Sequence, residues 1–146
     1  MTILPGIFEN KILIAAMTAW LIAQIIKVLL NLFIQGKLNL ELLLSSGAFP
    51  SSHAATVCAL TLGVGKNYGW NSPLFAIAAV FTMIVMYDAA GVRRAAGKQA
   101  EVINKLLERY HVGSDLSQKR LKELVGHTPF EVFGGALVGI ATGLII

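Results

Sequence analysis

Apolar residues along this 146-residue chain fall into long runs rather than into the short alternation that is typical of strands. Three runs, at residues 12–34, 73–87 and 129–146, approach or reach the roughly 20 residues with which a helix crosses a bilayer. A shorter run at residues 54–64 crosses the bilayer only if the polar residues that flank it also lie within the bilayer. The pattern predicts an all-α protein, an integral membrane four-helix bundle made by a single domain over residues 1–146.

The first predicted helix, residues 11–35, is apolar except for one stripe. Gln24, Lys27, Asn31 and Gln35 recur every three or four positions and therefore share one face. Because this face is costly to expose to lipid, we expect it to lie against protein or water. The alternative is that Lys27 extends along the helix to the membrane surface, as lysines near the ends of spans do.

The second helix is expected to begin within residues 49–53. Ser51 or Ser52 can accept a hydrogen bond from the free amides of a helix start, and Pro50 is also common there. Residues 66–72, which include two asparagines and a glycine, predict a tight turn after this helix.

The third helix is expected to begin near Pro73 and to run to Arg93 and Arg94. Asp88 lies within it, where an unpaired carboxylate is costly in a membrane. We therefore expect Asp88 to neutralise or orient a nearby cation. The two arginines also have a simpler explanation, since basic residues commonly follow membrane spans on the cytoplasmic side.

The pattern becomes amphipathic between the third and fourth helices. Over residues 98–110 an apolar face lies opposite a charged one, which predicts a helix lying at the membrane interface. Asp115 and Gln118 predict a capping box that opens a second short helix ending at Val125.

The fourth helix is expected to begin with Thr128 as its cap, Pro129 as its first residue and Glu131 completing a capping box. The capping box explains Glu131 without a catalytic role, although the two roles are compatible. Glu131 also shares a stripe with glycines at every fourth position, a pattern that lets helices pack closely. This stripe permits either packing within the chain or a homo-oligomer.

Four antiparallel helices bring four places in the chain to one face: the end of the first, the start of the second, the end of the third and the start of the fourth. The unusual residues fall at these places, namely Lys27, His53, Arg93, Arg94 and His127. We therefore expect one site at this face.

The composition favours a membrane protein, because 55% of the residues are hydrophobic and only 14% are charged. The net charge of +4 suits anionic lipid or phosphate, and it equally suits an excess of basic residues in cytoplasmic loops. We expect no nucleic-acid partner, since no recognition motif accompanies the basic residues. The single cysteine, Cys58, is expected to be a buried packing residue.

The residues of the predicted face suit phosphate chemistry. A phosphate monoester group carries two negative charges, and its transfer requires cations, a nucleophile and an acid for the leaving oxygen. Arg93 or Arg94 can hold phosphate oxygens bidentately, and Lys27 can add a point charge. Of His53 and His127, one can attack phosphorus while the other protonates the departing alcohol. This chemistry requires no metal or other cofactor, and the two histidines form no zinc motif in the sequence.

Three stretches resemble the type 2 phosphatidic acid phosphatases, the membrane relatives of the vanadium haloperoxidases. Residues 49–53, Phe-Pro-Ser-Ser-His, are similar to that family's Pro-Ser-Gly-His motif. Residues 87–94 and 126–132 look like its small, divergent branch, and the likeness extends from the first helix to the fourth. The resemblance implies metal-free dephosphorylation of a membrane lipid through a phosphohistidine.

The resemblance also implies roles for single residues. Lys27 matches the lysine of the first motif, which binds phosphate, and His53 matches the histidine of the second motif, the general acid. His127 matches the histidine of the third motif, the nucleophile. Glu131 stands where the family usually has an aspartate that orients this nucleophile.

The sequence departs from the family's motifs at several positions. Ser51 and Ser52 would contact the phosphate, with Ser52 in place of the common glycine. No Arg-Pro pair follows Lys27 at the usual spacing, and no Ser-Arg pair precedes the third-motif histidine at the usual distance. We therefore assign the phosphate-binding role of the family's motif arginines to Arg93 and Arg94, which lie at the end of a different helix.

The main hypothesis is a phosphatase acting on a membrane lipid phosphate or diphosphate, such as a phosphatidate, phosphatidylglycerophosphate or a polyprenyl phosphate. One alternative is a non-catalytic protein of the same fold that binds or transports such a lipid. Another is a purely structural membrane subunit, in which neither the histidines nor Lys27 matter for function.

The distribution of basic residues predicts the orientation. The opposite face holds chiefly Lys11 and Lys66, so the positive-inside rule places the active face in the cytoplasm, with the chain in the plasma membrane. Many members of the resembled family, by contrast, act on the outer side. The basic residues of the predicted active face are Lys37, Arg93, Arg94, Lys98, Lys105, Arg109, Lys119, Arg120 and Lys122.

Overall fold

The computed structural model describes residues 3–43, 48–109 and 126–146, and every regular element within these ranges is helical. The all-α prediction is therefore confirmed for the described residues. The α-helices are α1 (Ile3–Phe8), α2 (Lys11–Gln35), α3 (Ser52–Tyr68), α4 (Pro73–Ala90), α5 (Val92–Arg109) and α6 (Pro129–Ile145), with a 3-10 helix at Leu40–Leu43.

The helix α2 has the bounds predicted from the sequence. The side chain of Asn10 accepts a hydrogen bond from the amide of Leu13 at 3.1 Å and so caps its start. Gly36 ends it in the left-handed conformation with φ of 66°, and the Gly36 amide donates to the carbonyl of Leu32. Glycine adopts this conformation at little cost, which explains why the helix ends there.

The helix α3 begins where the serines predict a start, but it ends later than predicted. Ser51 is the cap, since its Oγ accepts from the amide of Ala54 at 3.4 Å. The helix continues through Lys66 to Tyr68, so the first part of the predicted turn at residues 66–72 is wrong. The ammonium of Lys66 binds carbonyl oxygens at the end of α6, a tertiary contact that supports this last helical turn.

The third predicted helix is divided into two helices. α4 ends at Ala90, the chain turns at Gly91, and α5 begins at Val92. The prediction that Arg93 and Arg94 end the third helix is therefore wrong: they lie in the first turn of α5. The amphipathic helix starts at Val92 rather than at residue 98 because the turn at Gly91 interrupts the apolar helix.

The helix α6 begins as predicted. The hydroxyl of Thr128 accepts from the amide of Glu131 at 3.3 Å, and the carboxylate of Glu131 accepts from the amide of Thr128 at 2.9 Å. Both halves of the capping box are therefore present. The capping box and short helix predicted from Asp115 to Val125 lie outside the described residues.

The helix α3 lies at the centre and packs against α2, α4 and α6. Its contact with α6 is close because the glycine stripe of α6 faces it. A methyl group at Gly135 would lie 2.1 Å from the carbonyl oxygen of Ser51, and one at Gly139 would lie 2.2 Å from that of Ala55. The glycine stripe thus packs within the chain, against the backbone of α3.

Small residues form the interior, and large apolar residues form much of the surface. One core cluster consists of alanines of α2 and α3, namely Ala19, Ala23, Ala55 and Ala59. Large side chains such as Ile77 and Met83 of α4 are exposed. This distribution is typical of helices that pack through small residues in lipid.

Among the residues that the structure describes, two helices are long and apolar enough to cross a membrane, and they begin at Lys11 and at Pro73. The helix α6, Pro129–Ile145, is also apolar but shorter. Cys58 is buried, in agreement with its predicted packing role.

Candidate active site

The histidine His127 lies directly before the cap of α6, with its side chain in the interior. It is 1% exposed. Its backbone amide donates to the carbonyl of Ala89, in the last turn of α4, at 3.0 Å. The end of α4 therefore fixes the position of the segment that carries this imidazole.

The carboxylate of Glu131 orients the ring of His127. Glu131 Oε2 lies 3.1 Å from His127 Nδ1 and also accepts the amide of Thr128 at 2.9 Å. Since a carboxylate oxygen only accepts hydrogen bonds, Nδ1 carries a proton and donates it. In the neutral ring this assignment leaves the lone pair on Nε2, the atom suited to nucleophilic attack.

The second histidine, His53, lies in the first turn of α3 and contacts His127. The centroids of the two rings are 5.9 Å apart, and the ring planes meet at 64°. The amide of Ser51, the cap of α3, donates to the backbone carbonyl of Glu131 at 2.9 Å. This backbone hydrogen bond ties the start of α3 to the start of α6 and so brings the two imidazoles together.

The lysine Lys27 is buried in the same region, where it is 1% exposed and interacts electrostatically with the carboxylate of Glu131. The expectation that its stripe faces protein is confirmed for its inner part, because Gln24 is also buried and its amide donates to the carbonyl of Leu43. The alternative, in which Lys27 extends to the membrane surface, is wrong.

The serines of the second motif are both buried. Ser51 Oγ caps α3, and the carbonyl of Ser52 accepts a hydrogen bond from Thr56 at 2.7 Å. Their proposed contacts with phosphate stay a prediction.

This geometry joins the motifs that carry the resemblance, and a family model described as the Divergent PAP2 family matches residues 8–142. The chain belongs to the Divergent PAP2 family. The sequence prediction of a divergent branch is therefore confirmed.

A close relative supports the placement in the Divergent PAP2 family. The "Uncharacterized membrane protein YuiD" of Bacillus subtilis (strain 168) is 42% identical over 151 residues, which cover 96% of each chain. No solved structure matches the chain.

The remaining predicted site residues of this Divergent PAP2 family chain lie near the junction of α4 and α5. Asp88 is partly buried in the last turn of α4, next to the Ala89 carbonyl that holds His127. Arg93 and Arg94 follow in the first turn of α5, and their side chains lie outside the description. The roles of all three residues stay predictions.

Sequence reasoning missed the backbone hydrogen bonds that assemble the site. The carbonyls of Ala89 and Glu131 accept amides from other segments of the chain, which no side-chain pattern reveals. The one available signal was the glycine stripe, since Gly135 is what lets α6 approach the backbone of Ser51.

Within residues 3–43, 48–109 and 126–146, no three histidine, cysteine, aspartate or glutamate side chains are grouped to hold a metal ion. The prediction of a metal-free reaction requires a chemical test.

Proposed function

We propose that this chain is an integral membrane phosphatase that hydrolyses a lipid phosphate or diphosphate through a phosphohistidine, without a metal. The observation that carries the proposal is the imidazole pair of His53 and His127, with the carboxylate of Glu131 on Nδ1 of His127. Membership of the Divergent PAP2 family supports phosphoryl chemistry, and the relative named a membrane protein supports a lipid substrate.

The first step forms the phosphohistidine. The lone pair on Nε2 of His127 attacks the terminal phosphorus, and the bond between this phosphorus and the oxygen that joins it to the rest of the lipid breaks. His53, in its protonated form, gives its proton to that oxygen, so a lipid phosphate leaves as a neutral alcohol and a lipid diphosphate leaves as the lipid monophosphate. Glu131 stabilises the positive charge that His127 acquires, because its oxygen accepts the Nδ1 proton.

The second step regenerates the enzyme. His53, now neutral, takes a proton from a water molecule, and the water oxygen attacks phosphorus. The bond between phosphorus and Nε2 breaks, which returns the electron pair to His127 and releases inorganic phosphate.

Cations stabilise the charge on the transferring group. Lys27 is proposed to stabilise this negative charge, because it is a buried cation in the region of Glu131. Arg93 and Arg94 are proposed to grip the phosphate from the start of α5, and Ser51 and Ser52 to contact it from the start of α3. Because His127 is almost fully buried, substrate binding requires movement of the residues that cover it.

The proposed setting is a four-helix bundle of α2, α3, α4 and α6 in the plasma membrane. Its exposed aliphatic surface supports contact with lipid tails, and the site lies at the end of the bundle where α2 and α4 end. The excess of basic residues at this end supports a cytoplasmic active face.

The central test measures inorganic phosphate release by the purified protein from a panel of lipid phosphates and diphosphates, with and without a chelator. We expect release that is insensitive to chelator and lost in His127→Ala. Loss of release with chelator would overturn the metal-free mechanism. Tight binding of the lipids without release would instead establish a lipid-phosphate binder.

The orientation has its own test. In a Cys58→Ala background, Lys37→Cys reports on the active face and Tyr68→Cys on the opposite end, since both positions are exposed. In intact cells, we expect an impermeant thiol reagent to label Tyr68→Cys and to leave Lys37→Cys unlabelled. The reverse pattern would place the active face outside.

A further inference from the structure

The helix α5 has a buried side made of small and polar residues. Gly97, Ala100 and Asn104 follow one another at spacings of three and four, and all are buried. Asn104 is 4% exposed. The side of α5 that faces the protein is therefore not its aliphatic side.

The opposite side of α5, here called the aliphatic face, consists of Val102, Ile103 and Leu106. These side chains are 57%, 44% and 48% exposed. A helix on the surface of a soluble protein turns such residues inwards and an asparagine outwards. The reversed arrangement of α5 indicates that an apolar medium lies outside it.

A third side of α5, here called the basic stripe, consists of Lys98, Lys105 and Arg109. The three residues lie at i, i+7 and i+11 and are exposed, beside the aliphatic face. Lys105 also pairs with Glu101 at 2.6 Å, which cancels part of the charge. Positive charge remains, because α5 contains five lysines or arginines and two glutamates.

The helix α5 also continues a surface that is already apolar. Met83, Ile84 and Tyr87 of α4 are exposed up to the turn at Gly91, after which α5 begins. Lys98 and Gln99 line a shallow concavity together with two side chains of the aliphatic face, so a cation lies beside apolar walls. An anionic head group with its acyl chain is complementary to this surface, since the head group would lie against the cation and the chain against the apolar walls.

We propose that α5 lies in the bilayer surface and binds the phosphate groups of anionic phospholipids. The aliphatic face lies among the acyl chains, and the basic stripe contacts the head groups. Each basic residue near an anionic surface contributes a free energy that corresponds to about a fivefold preference for anionic over uncharged lipid. The proposal depends on the chain being in a membrane and is independent of phosphatase activity.

Bromolipid quenching tests this proposal on the full-length protein. A bimane fluorophore is attached at Gln99→Cys in a Cys58→Ala background, since Gln99 is exposed beside the aliphatic face. The protein is placed in nanodiscs with equal amounts of phosphatidylglycerol and phosphatidylcholine, and either one or the other lipid is brominated. Relative quenching then reports which lipid lies next to α5.

We expect brominated phosphatidylglycerol to quench at least about fivefold more effectively than brominated phosphatidylcholine at low salt. The combined change Lys98→Gln, Lys105→Gln and Arg109→Gln should make the two lipids equal. The control Lys11→Gln with Lys37→Gln removes exposed charges elsewhere and should keep the preference. Equal quenching in the protein with its basic stripe intact would overturn anionic-lipid binding. Absence of quenching by both lipids would show that protein or water, not lipid, covers the aliphatic face.

Discussion

Two lysines lie at opposite ends of the packed helices and have different surroundings. Lys27 in α2 is almost fully buried and interacts with the carboxylate of Glu131. Lys66 in the last turns of α3 is exposed at the other end, where it donates to the backbone carbonyls of Gly143 and Leu144 at 3.2 and 3.1 Å.

The comparison separates a structural cation from a candidate functional one. The final carbonyls of a helix lack partners within it and carry partial negative charge, so Lys66 stabilises the end of α6. Lys27 instead lies in the region of a carboxylate that orients a histidine. In the sequence both are basic residues near helix ends, and only their burial and surroundings in the fold distinguish them.

The largest expected effect is at His53, the proposed general acid at the end of the helices where Lys27 lies. It sharpens the difference between this end and the end that holds Lys66. In the first turnover, His53→Asn should slow release of the lipid alcohol from an alkyl phosphate by about 10²- to 10⁴-fold. With an aryl phosphate, whose leaving group needs no proton, release of the aryl alcohol in the first turnover should stay near the wild-type rate, because only the second step then requires His53. Equal first-turnover losses on the two substrates would contradict the role of His53 as a general acid.

The matched substitutions Lys27→Met and Lys66→Met test the comparison directly. Lys27→Met should lower kcat by about 10²- to 10³-fold, the usual cost of removing one group that stabilises transition-state charge. The unfolding temperature should change little, since Glu131 keeps its hydrogen bonds with Thr128 and His127. Equal activity losses in the two variants would remove the distinction between the two ends.

A smaller effect is expected at Glu131, where capping and orientation use the same oxygen. Glu131→Gln keeps an oxygen that accepts for the cap and from His127 but loses the charge, and it should lower activity by about ten- to a hundredfold, the cost usual for removing the carboxylate behind a metal-bound histidine. Thr128→Ala removes the cap hydroxyl and should cost about 1 kcal/mol of stability with little change in kcat. The opposite pattern would make Glu131 a structural residue only.

The smallest effect is expected at Lys66, at the end of the helices opposite the candidate site. Lys66→Met should lower the free energy of unfolding by about 0.3–1 kcal/mol, because the carbonyls at the end of α6 lose a cation. Its kcat should equal that of the wild type. A large drop in phosphate release from this variant would show that the two ends are coupled.

Much of the local structure was predictable because caps leave a clear signature. Ser51 and Thr128 mark helix starts through their side chains, and the polar stripe of α2 predicted the burial of Lys27. The turn at Gly91 was missed, since a glycine in an apolar run is compatible with a continuous helix. The longer α3 was missed because its last turn is supported by the contact of Lys66 with α6.

The candidate site shows the same limit. Alternation of antiparallel helices was sufficient to bring His53 and His127 to one end. Their spacing could not be predicted, because it depends on a backbone hydrogen bond from Ser51 to Glu131 and on the close approach at Gly135. The backbone hydrogen bond has no signature in the residue types, and the glycine stripe predicts a close approach without identifying its partner.

The most direct measurement traps the proposed intermediate. The purified protein is mixed with a lipid phosphate labelled with ³²P, quenched with alkali within one turnover, and digested to locate the label. A phosphohistidine survives alkali and is lost in acid, and we predict it on His127 in the wild type and its absence in His127→Ala. Phosphate release by a wild-type enzyme that never carries label on His127 would contradict the account.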